Sequence, residues 1–275
     1  IYTGEDTLSL HDALPIYFLK DGYSIVVYDA YRPQKAVDSF VMWSRDSNDQ
    51  KAKERYYPGI NKGDIFKVGN YVIGCGDSTD REFVKKVIGK NKIRTILCDP
   101  PYGVAYVENK KGFAKLGVKD EKIIAGDHLQ SEEEYENFTK KYLGITIPYL
   151  EEHNAVYIFN ADPMFPSLRS GMKSAGFYYS QMIIWLKNQP VMSRKDYLSQ
   201  YELIAYGWFG KHKTERSKSK NVIYYPRPSK SKLHPTQKPI GLLRRIIPDS
   251  TKIGDIIYDR SEEHTSELQS LRHIS

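Results

Sequence analysis

Residues 93–102 read IRTILCDPPY, and the passage from IRTILC into DPPY decides the fold. Ile93–Cys98 is a short run, continuously apolar from Ile96 to Cys98, as expected of a strand buried on both faces. Asp99, Pro100 and Pro101 stop it at once. Prolines cannot donate to a ladder, and a residue that precedes proline is held extended. Outward from this point, strand-like and helix-like stretches alternate. GNYVIGCGD (69–77) reads as a strand running into a turn, and Arg81–Ile88 as a helix with Phe83, Val84, Val87 and Ile88 on one face. Ser131 opens a second helix as a capping box with Glu134. NAVYIFN (154–160) and MIIWLKN (182–188) read as strands around a helix over Met164–Ala175. Tyr201–Tyr206, Asn221–Tyr225 and Gly254–Tyr258 read as further strands, and Pro235–Ile247 as a helix. Such alternation predicts an α/β fold whose mainly parallel sheet is covered on both faces. Ligands of such sheets bind beyond the carboxyl ends of the strands, which is where DPPY falls.

The tetrad has its own chemistry. Asp99 supplies a carboxylate acceptor, Pro100 a carbonyl without an N–H, Pro101 an extended turn and Tyr102 a flat ring. The exocyclic amine of a nucleobase is a poor nucleophile, because its lone pair is delocalised into the ring. Two acceptors on its two hydrogens favour a pyramidal nitrogen with a directed lone pair. An aromatic ring can stack the base once it has left the helix. A lone DPPY after a strand is also compatible with an ordinary proline-rich turn, so the surroundings matter.

Composition sets the frame. The chain has 275 residues, 40% of them hydrophobic, and a mean hydropathy of −0.57. No stretch approaches the ~18 consecutive apolar residues of a membrane span. With 2 cysteines, Cys75 and Cys98, it offers neither a disulfide framework nor a cysteine zinc ribbon, and a reducing, cytoplasmic location is expected. The net charge is +7 and the pI near 9.0. The two ends carry −3 (residues 1–16) and −1 (260–275), so residues 17–259 carry +11. That excess suits a polyanionic partner. It is concentrated between Lys187 and Lys232, where Arg194, Lys195, Lys211 and Lys213 stand among Tyr197, Tyr201, Trp208 and Phe209 as candidate DNA contacts.

CDPPYGVAY, preceded by GNYVIGCGDST and followed by HPTQKPIGLLRRII, resembles the amino-group DNA methyltransferases that use S-adenosylmethionine. The three motifs occur in that family's order over residues 64–259. The resemblance implies a Rossmann-like methyltransferase fold acting on double-stranded DNA, with no metal. By it, Asp99 and the Pro100 carbonyl bind the target amine, with Pro101 shaping the loop, and Tyr102 stacks the flipped base. Asp77 accepts from the cofactor's adenine amine, beside Ser78. His234, Thr236 and Lys238 line the methionine end of the cofactor, and Asp259 closes the strand that leads to it. An initial Asp is commoner in adenine-N6 than in cytosine-N4 enzymes. The family continues beyond that strand as Pro-Phe-x-Gly-Ser-Gly, whereas here Asp259 is followed by Arg260-Ser261-Glu262-Glu263. The glycines that permit close backbone approach are missing. The sheet is therefore expected to be incomplete at its C-terminal end, and methyl transfer to be weak or undetectable. A non-catalytic DNA-binding remnant shares the basic segment and is the alternative.

Residues 17–63 differ from this body. Ser24–Tyr28 reads as a strand, followed by Arg32-Pro33 and a helix with Ala36, Val37, Phe40 and Val41 on one side. DAYRPQKAV with RYYPGI is similar to the D-alanyl-D-alanine dipeptidases, zinc enzymes in which Arg32 would match the arginine that steadies the tetrahedral intermediate. Their His-x-x-Gly-x-Ala-x-Asp and Glu-Trp-Trp-His patterns are absent, although a zinc hydrolase needs about three protein ligands. Dipeptidase activity is not expected of this fragment. The ends themselves, Thr7–Ile16 and Arg260–Ser270, resemble translated sequencing-library adapters and are not expected to belong to the fold.

Overall fold

The computed structural model describes residues 24–27, 63–68, 71–74, 76–103, 130–191, 196–227 and 238–260. Arg32, the helix expected after it, and residues 1–16 and 261–275 of the adapter-like ends lie outside these residues; Arg260, the first residue of the second adapter-like stretch, is described and fully buried, contrary to the expectation that it stands outside the fold. Among the described residues nine strands form one sheet: β1 (Ser24–Val27), β2 (Ile65–Val68), β3 (Tyr71–Gly74), β4 (Ile93–Cys98), β5 (Leu150–Asn160), β6 (Phe177–Leu186), β7 (Tyr201–Phe209), β8 (Val222–Tyr224) and β9 (Ile256–Asp259). Their spatial order is β2-β3-β1-β9-β4-β5-β7-β6-β8. The block β3, β1, β9, β4, β5 is parallel throughout. β7 enters antiparallel between β5 and β6, and β2 pairs antiparallel at the other edge.

The described residues include four α-helices that cover this sheet: α1 (Arg81–Ile88), α2 (Glu132–Thr146), α3 (Phe165–Ser174) and α4 (Ile240–Ile246). The Asp80 side chain caps α1 by accepting from the amides of Glu82 and Phe83. Ser131 and Glu134 cap α2 reciprocally, as expected. On one face Phe83, Val84 and Val87 of α1, Tyr135, Tyr142 and Leu143 of α2, and Leu168 and Met172 of α3 pack with Ile96 and Cys98. On the other, Leu242, Leu243 and Ile246 of α4 pack with Leu97, Tyr157, Phe159, Trp185 and Ile257. All six residues of β4 are buried, the consequence of cover on both sides.

Several elements depart from the sequence reading: β5 begins at Leu150 rather than Asn154, β6 runs Phe177–Leu186 rather than 182–188, and β9 runs Ile256–Asp259 rather than Gly254–Tyr258. α4 starts at Ile240 rather than Pro235, with Pro239 as its N-cap, because Pro239 disfavours helical geometry at Lys238. β7 runs to Phe209, beyond Tyr206, because its register with β6 continues to the Phe177–Phe209 pair. β1, from the dipeptidase-like stretch, lies between β9 and β3 and is parallel to both. The described residues contain no helix long and apolar enough to cross a membrane.

Candidate active site

Parallel strands that share a direction deliver the residues after them to one end of the sheet. β3 leads to Asp77 and Ser78, β4 to Asp99, and β9 ends in Asp259 followed by Arg260. The antiparallel β7 begins at the same end, since Leu203 pairs with Asn160, the last residue of β5. This puts Glu202 opposite Asp99.

There the side chains form a compact charge network. The Lys238 Nζ lies 2.6 Å from Asp99 Oδ2 and 3.2 Å from Glu202 Oε2. The Lys187 Nζ donates to Glu202 Oε1 at 2.5 Å. The Tyr102 hydroxyl is 2.9 Å from Asp99 Oδ1 and 3.2 Å from Glu202 Oε2, two acceptors for one hydrogen. Two carboxylates thus face two ammonium groups, and no net charge is left in a largely dry setting. The Asp99 side chain keeps 32% of its surface, against 9% for Lys238 and 18% for Glu202, so Asp99 is the open member of the group. Lys238 also sits 5.5 Å from the Tyr102 ring centre and 5.3 Å from that of Phe159.

Burial opposes the Lys238 charge, but Asp99 and Glu202 together hold its pKa above the ordinary lysine value. Burial raises Glu202 as well, yet the two lysines outweigh it and hold the carboxyl below its usual range. Burial keeps Asp99 above the ordinary carboxylate value, with Lys238 pulling the other way and the Glu202 charge reinforcing the rise. Asp259 stands out: burial and the nearby Asp99 push it up to about 8. An acid raised in the folded state contributes stability that is complete below its unfolded value and is lost as pH rises through its folded value. The melting temperature is therefore expected to fall between pH 5 and pH 8. One pKa unit corresponds to about 3 °C for a chain of this size. Asp259→Asn should flatten the fall in a thermal-unfolding pH series, and an equal slope in the variant would contradict the assignment.

The structure brings Asp99, Pro100, Pro101, Tyr102, Lys238, Asp77, Ser78 and Asp259 to one end of the sheet. Their contacts differ from expectation in two places. The Asp77 carboxylate accepts from the Thr79 amide and hydroxyl, both at 2.7 Å, as a local turn. The buried Ser78 hydroxyl accepts from Arg260 Nε at 2.6 Å. His234, Thr236, Arg194 and Lys195 lie outside the described residues.

Lys211 and Lys213 are not at this end. The Lys211 backbone bridges His153, its Nζ pairs with Glu152 at 2.5 Å, and the Lys213 carbonyl accepts from Arg94. Arg94 is the second residue of β4, whereas Asp99 comes after the last. The cause is the direction of β7, which carries its following loop to the opposite edge. At the Asp99 end, the connection from β6 to β7 instead exposes Tyr197 (91%), Leu198 and Tyr201.

Reasoning from sequence missed Glu202 and Lys187 as site members. The available signal was a glutamate at the head of the apolar strand LIAY, where an ionised group needs a buried partner. Among the described residues, no group of three or more His, Cys, Asp or Glu is placed to hold a metal ion.

Residues 93–260, more than half of the chain, match the family described as DNA methylase. A D-alanyl-D-alanine dipeptidase from Streptomyces coelicolor is 39% identical over 57 residues, covering 21% of this chain and 28% of that protein. The one from Enterococcus faecalis is 40% identical over 48 residues, 18% and 24% respectively. The chain thus spans only about a quarter of the length of these curated relatives. Among solved structures, the M1.HpyAVI–SAM complex aligns with a TM-score of 0.45 at 20% identity, covering 70% of this chain and 96% of that one. M1.HpyAVI itself aligns with a TM-score of 0.44 at 15% identity, covering 73% and 96%.

Proposed function

The chain belongs to the DNA methylase family, and on that premise we propose that its Asp99 site receives the exocyclic N6 amine of adenine in duplex DNA, for methylation from S-adenosylmethionine. The observation that carries this reading is the partly exposed Asp99 carboxylate at the carboxyl end of β4, followed directly by the Pro100 carbonyl. Those two oxygens accept the amine's two hydrogens and direct its lone pair outward. The base must first leave the duplex to reach them. On arrival the amine takes the Asp99 oxygen that Lys238 now holds, while Glu202 retains the ammonium. The Tyr102 ring, anchored through its hydroxyl, packs on the base. The exposed Tyr197 and Tyr201 on the same end suit contact with the opened duplex. A DNA partner suits a cytoplasmic location.

Among the described residues, the groups expected at the cofactor end do not make a complete seat for S-adenosylmethionine. The turn after Asp259 lacks the family's glycines, and the Ser78 hydroxyl is already engaged by Arg260. The chain is therefore an impaired adenine-N6 methyltransferase in this reading. The test is tritiated S-adenosylmethionine with unmethylated genomic duplex DNA, followed by nucleoside chromatography. Any incorporation should appear as N6-methyladenine, should vanish in Asp99→Ala, and should fall about 100-fold or more below that of an intact homologue, the scale of losing a preorganised group. Label in N4-methylcytosine would contradict the adenine assignment, and turnover equal to the homologue would contradict the impairment.

A further inference from the structure

Arg260 has no part in the methylase reading. It comes directly after β9 at the centre of the sheet, yet its side chain has 0% exposure. Its Nε donates to the Ser78 Oγ at 2.6 Å. Its guanidinium carbon lies 4.2 Å from the Tyr142 ring centre and 4.6 Å from that of Phe138, both on α2. Cys98, the last residue of β4, Tyr135 and Tyr258 are close enough to feel its charge. A fully buried guanidinium is unusual in a protein interior. Two aromatic faces and a hydroxyl make a place suited to a flat cation.

We propose that Arg260 is an intramolecular ligand that fills part of the cofactor seat, and that Phe138 and Tyr142 are walls of that seat. This rests on the proposed function, in which Ser78 and Asp259 belong to the cofactor end of the site. Three observations converge. The Ser78 hydroxyl gives one acceptor position to Arg260, which holds the guanidinium against the surface that a bound nucleoside would approach. The side chain spans from the end of β9 to the turn after β3, with β1 between these strands, so it crosses the sheet terminus. The sequence departs from the family at this residue, where a glycine-rich turn would otherwise leave the space clear. The site is thus self-occupied, and the class of molecule it would take in place of the guanidinium is a cationic sulfonium nucleoside.

The test is calorimetric titration of S-adenosylmethionine into the full chain, its Arg260→Ala variant and the Arg260→Ala/Phe138→Ala pair. Arg260→Ala should bind at least about tenfold more tightly than the parent. The added Phe138→Ala should cancel that gain. Arg260→Gln, which can still donate to Ser78 without the stacked cation, serves if the alanine variant does not fold, and should show a smaller gain. Millimolar guanidinium should raise the melting temperature of Arg260→Ala and compete with S-adenosylmethionine for it. Equal affinity in parent and variant, or guanidinium stabilisation without any gain in cofactor binding, would overturn the proposal. The adenine reading is tested separately, by nucleoside binding at Asp99, and survives either of those results.

Discussion

Glu202→Ala is expected to destabilise the chain by about 3–5 kcal/mol, the scale of removing one partner from a buried ion network. Glu202 is the hinge of that network. It accepts from Lys187 on one oxygen and faces Lys238 and the Tyr102 hydroxyl with the other. The two lysine side chains are only 7% and 9% exposed, so neither can regain water without moving. Truncation leaves Lys187 without its carboxylate and returns Lys238 to Asp99 alone. Glu202→Gln keeps the acceptor oxygen and should cost less. Glu202→Leu combined with Lys187→Met removes both charges together and should recover part of the loss, because matched apolar replacements of a buried pair can be nearly neutral. Urea unfolding of the single and double variants measures all three. A Glu202→Ala cost below about 1 kcal/mol, the level of an exposed pair, would show that water screens the network.

Gly207→Ala is the second large effect, and its cause is backbone rather than charge. β6 carries an extra residue, Ser180, between the Tyr179–Gly207 and Gln181–Tyr206 pairs. The bulge brings the Tyr178 carbonyl against the α-carbon of Gly207, and a Cβ there would overlap that oxygen and meet the Met172 side chain at 3.2 Å. A backbone carbonyl within a paired strand cannot step aside as a lysine tip could. The substitution should cost about 3 kcal/mol or more, the upper range for overpacking, and reduce soluble yield. Gly144→Ala is the control, because nothing lies within 4 Å of a Cβ built there. Equal melting temperatures for the two variants would mean that the bulge relaxes at little cost.

Features set by local sequence are the legible ones. The buried run Ile93–Cys98, the stop at Asp99-Pro100 and the capping box at Ser131 are short-range signals, and the structure holds all of them. The hairpin of β2 and β3 is not among them, because GNYVIGCGD reads as one strand and Ile65–Val68 before it is left unassigned. Strand direction is not local. Nothing in the composition of Tyr201–Phe209 says that it returns antiparallel, and that return takes Lys211 and Lys213 away from Asp99 while it brings Glu202 in. The same limit hides the place of β1, whose four residues do not name β9 and β3 as neighbours. Arg260 is unreadable for another reason: an arginine after a strand is normally solvated, and only the rings of Phe138 and Tyr142, far off in sequence, make its burial tolerable.

The claim on which the functional account stands is that the Asp99 carboxylate and the Pro100 oxygen hold adenine by its amine. Saturation-transfer NMR of the full chain with deoxyadenosine and with deoxycytidine reads this contact without cofactor or turnover. The expected result is strong transfer to the adenine ring protons, weak transfer to cytosine, and loss of the adenine signal in Asp99→Asn, whose amide sets a donor against the amine. Equal transfer to both nucleosides, unchanged in the variant, would contradict it.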